Sequence, residues 1–358
     1  MNGMKLCKDY YEKFGAPMIK EKFPEYEGRI ACGHVGEGSD CFGFDDEISR
    51  DHDFGPAFSM WVTKETYKEI GEELQKAYAE LPMEYEGVKR PTGGESDKRF
   101  GVCVIEDFYE RVLCSQYPKK DRDFLGIDDC YLACATNGEV FRDDEGIFTR
   151  LREGLIKQPK SARHLKLAQQ VALLGQNAQY NYKRACDRGD FIAAMIARTD
   201  AIKNALKSIH LIHGVYAPHD KWLYKSAHNI DASIGKCLGE IGELPANESI
   251  KNRVYMEKLS EYILELLREN GIVSHLEGDF LPDLSVEIAR KGQLYFLEKE
   301  ELLSYVLRLK KKQIGDYPDD ETAKMVYDTF KELSPDVLVS VAVGIEYILS
   351  GRTETKAN

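Results

Sequence analysis

Apolar positions along the chain change their period partway through, and that change divides it. Leu6, Tyr10, Tyr11 and Phe14 recur at helical spacing, which predicts a helix over residues 4–22. A strand is predicted at Arg29–Val35, running into a turn that carries Gly33, Gly36 and Gly38. Phe58, Met60 and Val62 alternate with their neighbours and mark a second strand. Thr63 is placed to cap a helix that continues to about Ala79, with Glu65 in its first turn. No Glu or Gln stands three residues beyond this cap, so there is no capping box. Residues 85–99, with Pro91, Gly93 and Gly94 among charges, read as a loop before a third strand at Arg99–Ile105.

Beyond about residue 150 the pattern is helical. Leu167, Val171, Leu174 and Ala178 form one helix face within 161–187, and Asp190 is placed to cap a helix over 191–213. Residues 243–249, with Pro245, read as a linker. Val254, Leu259, Ile263 and Leu266 mark a helix over 250–269, closed by Asn270-Gly271. Further helices are predicted at 298–312, 319–333 and 335–350, and a frayed polar end at 351–358. The expected class is α+β: a small mixed-sheet domain over 1–150, a helical bundle over 151–245 and a helical C-terminal region over 246–358.

Composition narrows the function. Of 358 residues, 43% are hydrophobic and 31% charged, ordinary for a globular chain, and the net charge is −12. That balance disfavours a surface for coating nucleic acid. The nine cysteines include no Cys-x-x-Cys pair; Cys130 and Cys134 share a helix face but have no ligand cluster nearby, so buried reduced thiols are expected. No stretch has the apolar length of a membrane span and residues 1–22 lack a signal peptide's apolar run, so a cytoplasmic protein is expected.

The chemistry concentrates in Gly36-Glu37-Gly38-Ser39-Asp40 and Asp51-His52-Asp53. On an extended segment the two carboxylates of Asp51 and Asp53 point to one side and His52 to the other. Converging carboxylates repel unless a cation lies between them, and hard oxygen ligands suit magnesium or manganese. A Gly-Ser turn brings backbone N–H groups and a hydroxyl against a phosphate with no Cβ in the way.

A Gly-Ser turn after a strand, about a dozen residues and then Asp-x-Asp resembles the DNA polymerase β superfamily of nucleotidyltransferases; here residues 40–50 separate Ser39 from Asp51. The run from Gly36 to Gly55 is similar to the bacterial domain of unknown function 4037. The similarity continues in Thr136–Phe141, Arg152, Tyr216-Ala217-Pro218 and Lys221-Trp222-Leu223, and covers roughly residues 25–230. It implies a Mg2+- or Mn2+-dependent transfer of a nucleoside monophosphate from a nucleoside triphosphate, ATP by default. The acceptor would be a small molecule or a protein, with nucleic acid disfavoured, and a homodimer is compatible. Asp51 and Asp53 would hold the metal, and Gly38 and Ser39 the triphosphate. Arg152 and Lys221 would meet the phosphates, and Trp222 and Tyr216 would line a pocket unless they are core. Glu106, at the end of the third strand, is the expected third carboxylate, with Asp107 and Glu139 as rivals. Two alternatives use the same letters: a non-catalytic nucleotide-binding or interaction module, and an HD-type metal phosphohydrolase built on His34 and His52-Asp53.

Overall fold

The computed structural model describes residues 2–50, 54–93, 99–243, 249–274 and 278–350. The protein is α+β. It divides into two compact units, one formed by Met1–Gln158 with Tyr216–Trp222, the other by Pro159–Val215 with Leu223–Asn358.

The first unit opens with helix α1 (Gly3–Tyr10), a π-helical turn (Tyr11–Gly15) and α2 (Ala16–Lys22), matching the predicted amphipathic segment. Strands β1 (Ala31–His34), β2 (Ser59–Val62), β5 (Gly101–Val104) and β6 (Glu139–Arg142) form a sheet in the order β5-β2-β1-β6. β1 runs antiparallel to both β2 and β6, while β2 and β5 are parallel. A crossover between parallel strands needs a helix, and α3 (Lys64–Ala79) supplies it. The Thr63 side chain accepts from Thr66 N at 3.2 Å, as its position predicts. The expected loop at 85–99 instead begins inside a two-stranded hairpin, β3 (Glu84–Tyr85) with β4 (Val88–Lys89). Its strands are too short for a period to register in the sequence.

β2 is buried on both faces. Phe58 and Met60 pack with Tyr10, Tyr11, Ile19, Leu74 and Tyr78 from the helices on one side. On the other, Trp61 stacks on Phe148 at 3.9 Å and meets Phe108 edge-on at 5.3 Å. Those rings come from α4 (Ile105–Leu113) and α6 (Ile147–Ile156); α5 (Asp129–Thr136) precedes β6. Burying aromatics of this size accounts for several kcal/mol of the unit's cohesion, roughly 2 kcal/mol per ring.

The second unit is helical. It contains α7 (Lys160–Gly175), a π segment (Gln176–Asn181), α8 (Tyr182–Asp187) and α9 (Phe191–Ile212). These are followed by α10 (Asp220–Ile230), which belongs to this unit from Leu223 on, and by α11 (Ile234–Glu243), α12 (Ser249–Glu269) and α13 (Leu281–Leu294). The last three helices are α14 (Lys299–Ile314), α15 (Asp320–Lys331) and α16 (Pro335–Leu349). The Asp190 side chain accepts from Ala193 N at 3.0 Å, and Gly271, at φ +65°, ends α12 as the Asn-Gly pair predicts. Leu302, Val306, Leu338, Val339 and Ala342 form a core between α14 and α16. The linker residues 244–248 and the end at 351–358 lie outside the described residues. No described helix is long and apolar enough to cross a membrane.

Candidate functional site

The glycine-rich turn after β1 is fixed by buried polar contacts rather than by packing alone. Gly38 O accepts from Cys41 N at 3.1 Å, and Ser39 O accepts from Phe42 N at 3.2 Å and from Phe44 N at 2.8 Å. Asp40, 8% exposed, takes His34 Nε2–H at 2.8 Å on one carboxylate oxygen and Cys41 N–H at 2.9 Å on the other. Burial alone would raise the Asp40 pKa. The adjacent His34 charge and hydrogen bond, the Cys41 N–H and Arg99 together outweigh it and hold the carboxyl below the usual carboxylate range. A Cβ at Gly38 would stand 2.1 Å from Asp40 Oδ1, so this clamp and a side chain at Gly38 exclude each other.

A second layer ties the turn to the loop before β6. The Asn137 side chain accepts from Gly36 N at 3.0 Å and donates back to Gly36 O at 2.6 Å. Gly138 N donates to Cys41 O at 2.9 Å. Arg152 directs Nη2 at three carbonyls of that loop, Thr136 at 2.7 Å, Asn137 at 2.9 Å and Gly138 at 3.2 Å. On the opposite side, Arg111 donates to Glu37 at 2.8 Å. α1 docks on the turn through Gly3 N, which donates to Asp45 at 2.9 Å.

Three potential metal-ligating atoms, from Cys7, His34 and Asp40, lie within 4.8 Å of one another. Each is already engaged. His34 donates to Asp40, and Cys7 Sγ donates to Gly55 O at 3.4 Å. Burial pushes the Cys7 thiol up to about 12, which disfavours the thiolate a metal requires. His34 and Asp40 therefore brace the turn, while Cys7 ties α1 to Gly55. His34 also stands on a strand, a setting at odds with the all-helical frame of the phosphohydrolase arrangement.

Sheet register decides which carboxylates reach the turn. In β1 the turn follows His34, and Gly33 pairs with Ser59, so the turn lies at the start of β2. Ser59 pairs in parallel with Gly101 and Val62 with Val104, so the start of β5 shares that end. Glu106 emerges from the other end of β5, exposed in the first turn of α4, and Asp107 beside it is likewise exposed. Glu106 therefore stands away from the turn: parallel strands present like ends together, and five positions of chain separate it from Gly101. Glu139 is the carboxylate brought to it, paired in register with His34 and forming an ion pair with Lys8.

Beside the turn is a cleft of about 780 Å³, lined by Lys5, Lys8, Asp40, Phe42, Gly138 and Glu139 among others. Trp222 rests on Phe42 at 5.2 Å and on Phe44 at 6.2 Å, so it covers the aromatic limb of the turn. The exposed Lys221 places its ammonium 4.2 Å over the Trp222 ring. Tyr216 is core: it is buried, its hydroxyl donates to Leu155 O at 2.7 Å, and burial raises its pKa. Asp51, His52 and Asp53 lie outside the described residues. The residues missed in the sequence are those that hold the turn rather than form it. Asp40, six positions after His34 across a glycine-rich bend, was the available signal for that clamp.

Residues 124–223 match the family described as a domain of unknown function, DUF4037. The match takes in Thr136–Phe141, Arg152 and Tyr216–Leu223, and leaves out the Gly36–Gly55 run. No curated protein matches the chain. Among solved structures it is similar to a nucleotidyltransferase-like protein from Exiguobacterium sibiricum 255-15. That likeness has 14% sequence identity, covers 78% of this chain and 87% of that one, and has a TM-score of 0.32.

Proposed function

We propose that the first unit is a metal-dependent nucleotidyltransferase. It would move a nucleoside monophosphate, AMP by default, from a nucleoside triphosphate to a small-molecule or protein acceptor and release pyrophosphate. The observation that carries this reading is the clamped turn after β1, whose Asp40–Gly43 limb lines a cleft together with Lys5, Lys8 and Glu139. A turn held by its own buried contacts needs no reorganisation when a phosphate arrives, which is where such a site gains its advantage.

The donor set fits a hard divalent cation: Asp51, Asp53 and Glu139 offer only carboxylate oxygens. Asp51 and Asp53 would hold magnesium or manganese, which would supply charge neutralisation on the triphosphate and acidify the acceptor hydroxyl. The chain's own residues do the rest. Gly38 and Ser39 hold the phosphates, and Lys221, fixed over Trp222, offers a cation to them. Glu139 replaces Glu106 as third carboxylate and takes the acceptor's proton. The acceptor oxygen bonds to the α-phosphorus as the bond to the β-phosphate oxygen breaks. Arg152 acts indirectly, by holding the carbonyls of the loop that leads into Glu139.

Thermal unfolding with each nucleoside triphosphate, with and without magnesium, tests this. A ligand at a hundredfold excess over its dissociation constant adds about 2.7 kcal/mol. The expected result is a magnesium-dependent rise in midpoint that Asp51→Asn/Asp53→Asn removes, with transfer lost in Glu139→Gln and kept in Glu106→Gln. No shift with any triphosphate would favour the non-catalytic module instead.

A further inference from the structure

The helical unit has a polar pocket of its own, about 300 Å³ in volume, where the first turns of α7 and α16 meet the chain after α12. Its charges are unequal. Lys160 is spent on Asp336, at 2.7 and 2.6 Å to the two carboxylate oxygens. Lys291 is spent on Ile272 O at 2.7 Å and on Glu287 at 2.9 Å. Arg163 also lines the pocket, and its guanidinium makes no hydrogen bond or ion pair among the described residues. One positive charge is therefore left over, at the positive end of a 16-residue helix.

The second observation is His164, 7% exposed and part of the same lining. Its Nδ1 lies 2.8 Å from Lys160 O. A carbonyl can only accept, so Nδ1 carries the proton and Nε2 is left with a lone pair. No described group donates to it. Burial, with the nearby charges of Arg163, Lys291 and Lys160, pulls the ring's pKa down to about 4, so His164 is neutral at physiological pH. The pocket thus offers one unpaired cation and one buried acceptor. An occupant must be anionic and must also carry a donor. Carboxylate and sulfate are ionised without an acidic proton near neutrality, whereas a phosphate with a second pKa near about 6 retains a P–OH in its monoanion.

We propose that this pocket binds a phosphate monoanion, free or as the headgroup of a small monoester, with its charge on Arg163 and its P–OH donated to His164 Nε2. Arg163 supplies a planar fork for two phosphate oxygens, and the α7 N-terminus adds to the attraction. The occupant is small, because 300 Å³ is at the lower limit for ligand pockets.

Binding should weaken as pH rises. The complex holds one proton more than free dianion plus neutral His164, wherever that proton sits, so each pH unit above about 6 removes most of the competent ligand. The charged groups facing His164 are Lys160, Arg163 and Asp336 around the pocket, and Lys291 with Glu287 from α13. Tyr295, whose ring lies 4.9 Å from His164, has its hydroxyl raised to about 12 by burial and stays neutral.

Calorimetric titration of the full chain with inorganic phosphate, glycerol 3-phosphate and sulfate tests the assignment. Saturable binding of either phosphate is expected, at least tenfold tighter than sulfate and about tenfold weaker at pH 8 than at pH 7 for the monoester. A preference for glycerol 3-phosphate over inorganic phosphate would identify a monoester as the occupant, and the reverse a free phosphate. Arg163→Gln should weaken binding tenfold or more with an unchanged unfolding midpoint, and Arg163→Lys should restore part of it. Asp51→Asn/Asp53→Asn should leave binding intact, which separates this pocket from the cleft of the first unit. Equal affinity for sulfate, insensitivity to Arg163→Gln, or loss of binding in the double aspartate variant would overturn the proposal.

Discussion

The turn end of the first unit's sheet and the first-turn pocket of the helical unit hold their polar groups in opposite ways. At the turn, the backbone and the buried histidine are held by side chains: His34 by Asp40, Gly36 by Asn137, and three loop carbonyls by Arg152. In the helical pocket, Arg163 and His164 Nε2 are left unmatched between cations that are already paired. Saturated polar contacts fix backbone in place, whereas unmatched ones wait for a ligand. One region is therefore stiff by construction, and the other gains stability only when occupied.

The largest effect is expected where backbone approaches backbone. Gly138 has φ +66°, and a Cβ there would stand 2.1 Å from His34 O. Gly138→Ala should cost about 3 kcal/mol, left-handed strain plus a contact that neither strand can yield. Gly271 has nearly the same φ, +65°, but nothing lies within 4 Å of its Cβ position. Gly271→Ala should cost only about 1 kcal/mol, the left-handed penalty alone. Both tryptophans, Trp61 and Trp222, lie in the first unit, so denaturation followed by tryptophan fluorescence isolates the Gly138 effect. Helical circular dichroism reads Gly271. Equal losses would mean that the turn loop is no stiffer than a helix end.

Asp40 comes next. Its folded pKa is depressed, so the stability it contributes is fully present above its unfolded value of about 3.9 and is lost as pH falls through the folded one. Asp40→Asn should lower the first unit's stability by about 2 kcal/mol at pH 7, since a buried charge-assisted bond is replaced by a neutral one. The gap between wild type and variant should narrow below about pH 3.9, where wild-type Asp40 itself takes up a proton. A gap independent of pH would mean that the carboxylate charge contributes nothing to the clamp.

The same contrast explains what could be read from the sequence. The turn was legible because its parts are consecutive: Gly36, Gly38 and Ser39 share a few residues, and a strand runs directly into them. Caps such as Thr63 and Asp190 were legible because they act within three residues. The distance of Glu106 from the turn was not legible, because a strand's end carries no record of which neighbour runs parallel to it; only the pairing of Ser59 with Gly101 decides that. Helices α10 and α13 escaped because α10 buries only Leu223 and Ala227, and α13 has Pro282 at its start and Gly292 in its last turn. The Lys160–Asp336 pair joins positions 176 residues apart, and no local pattern announces such a meeting.

That pair gives the smallest effect and the sharpest separation of affinity from stability. Lys160 and Asp336 are 48% and 52% exposed in their side chains, so solvent screens their attraction. Lys160→Gln should change the helical unit's stability by less than about 1 kcal/mol, and by less still at high salt. It also removes a positive charge from the pocket while freeing Asp336 to compete for Arg163. Phosphate affinity should therefore fall severalfold while the circular-dichroism midpoint hardly moves. A stability loss comparable to that of Asp40→Asn would instead make the pair part of the unit's frame. The helical pocket would then resemble the turn, as polar contacts made for rigidity rather than for an occupant.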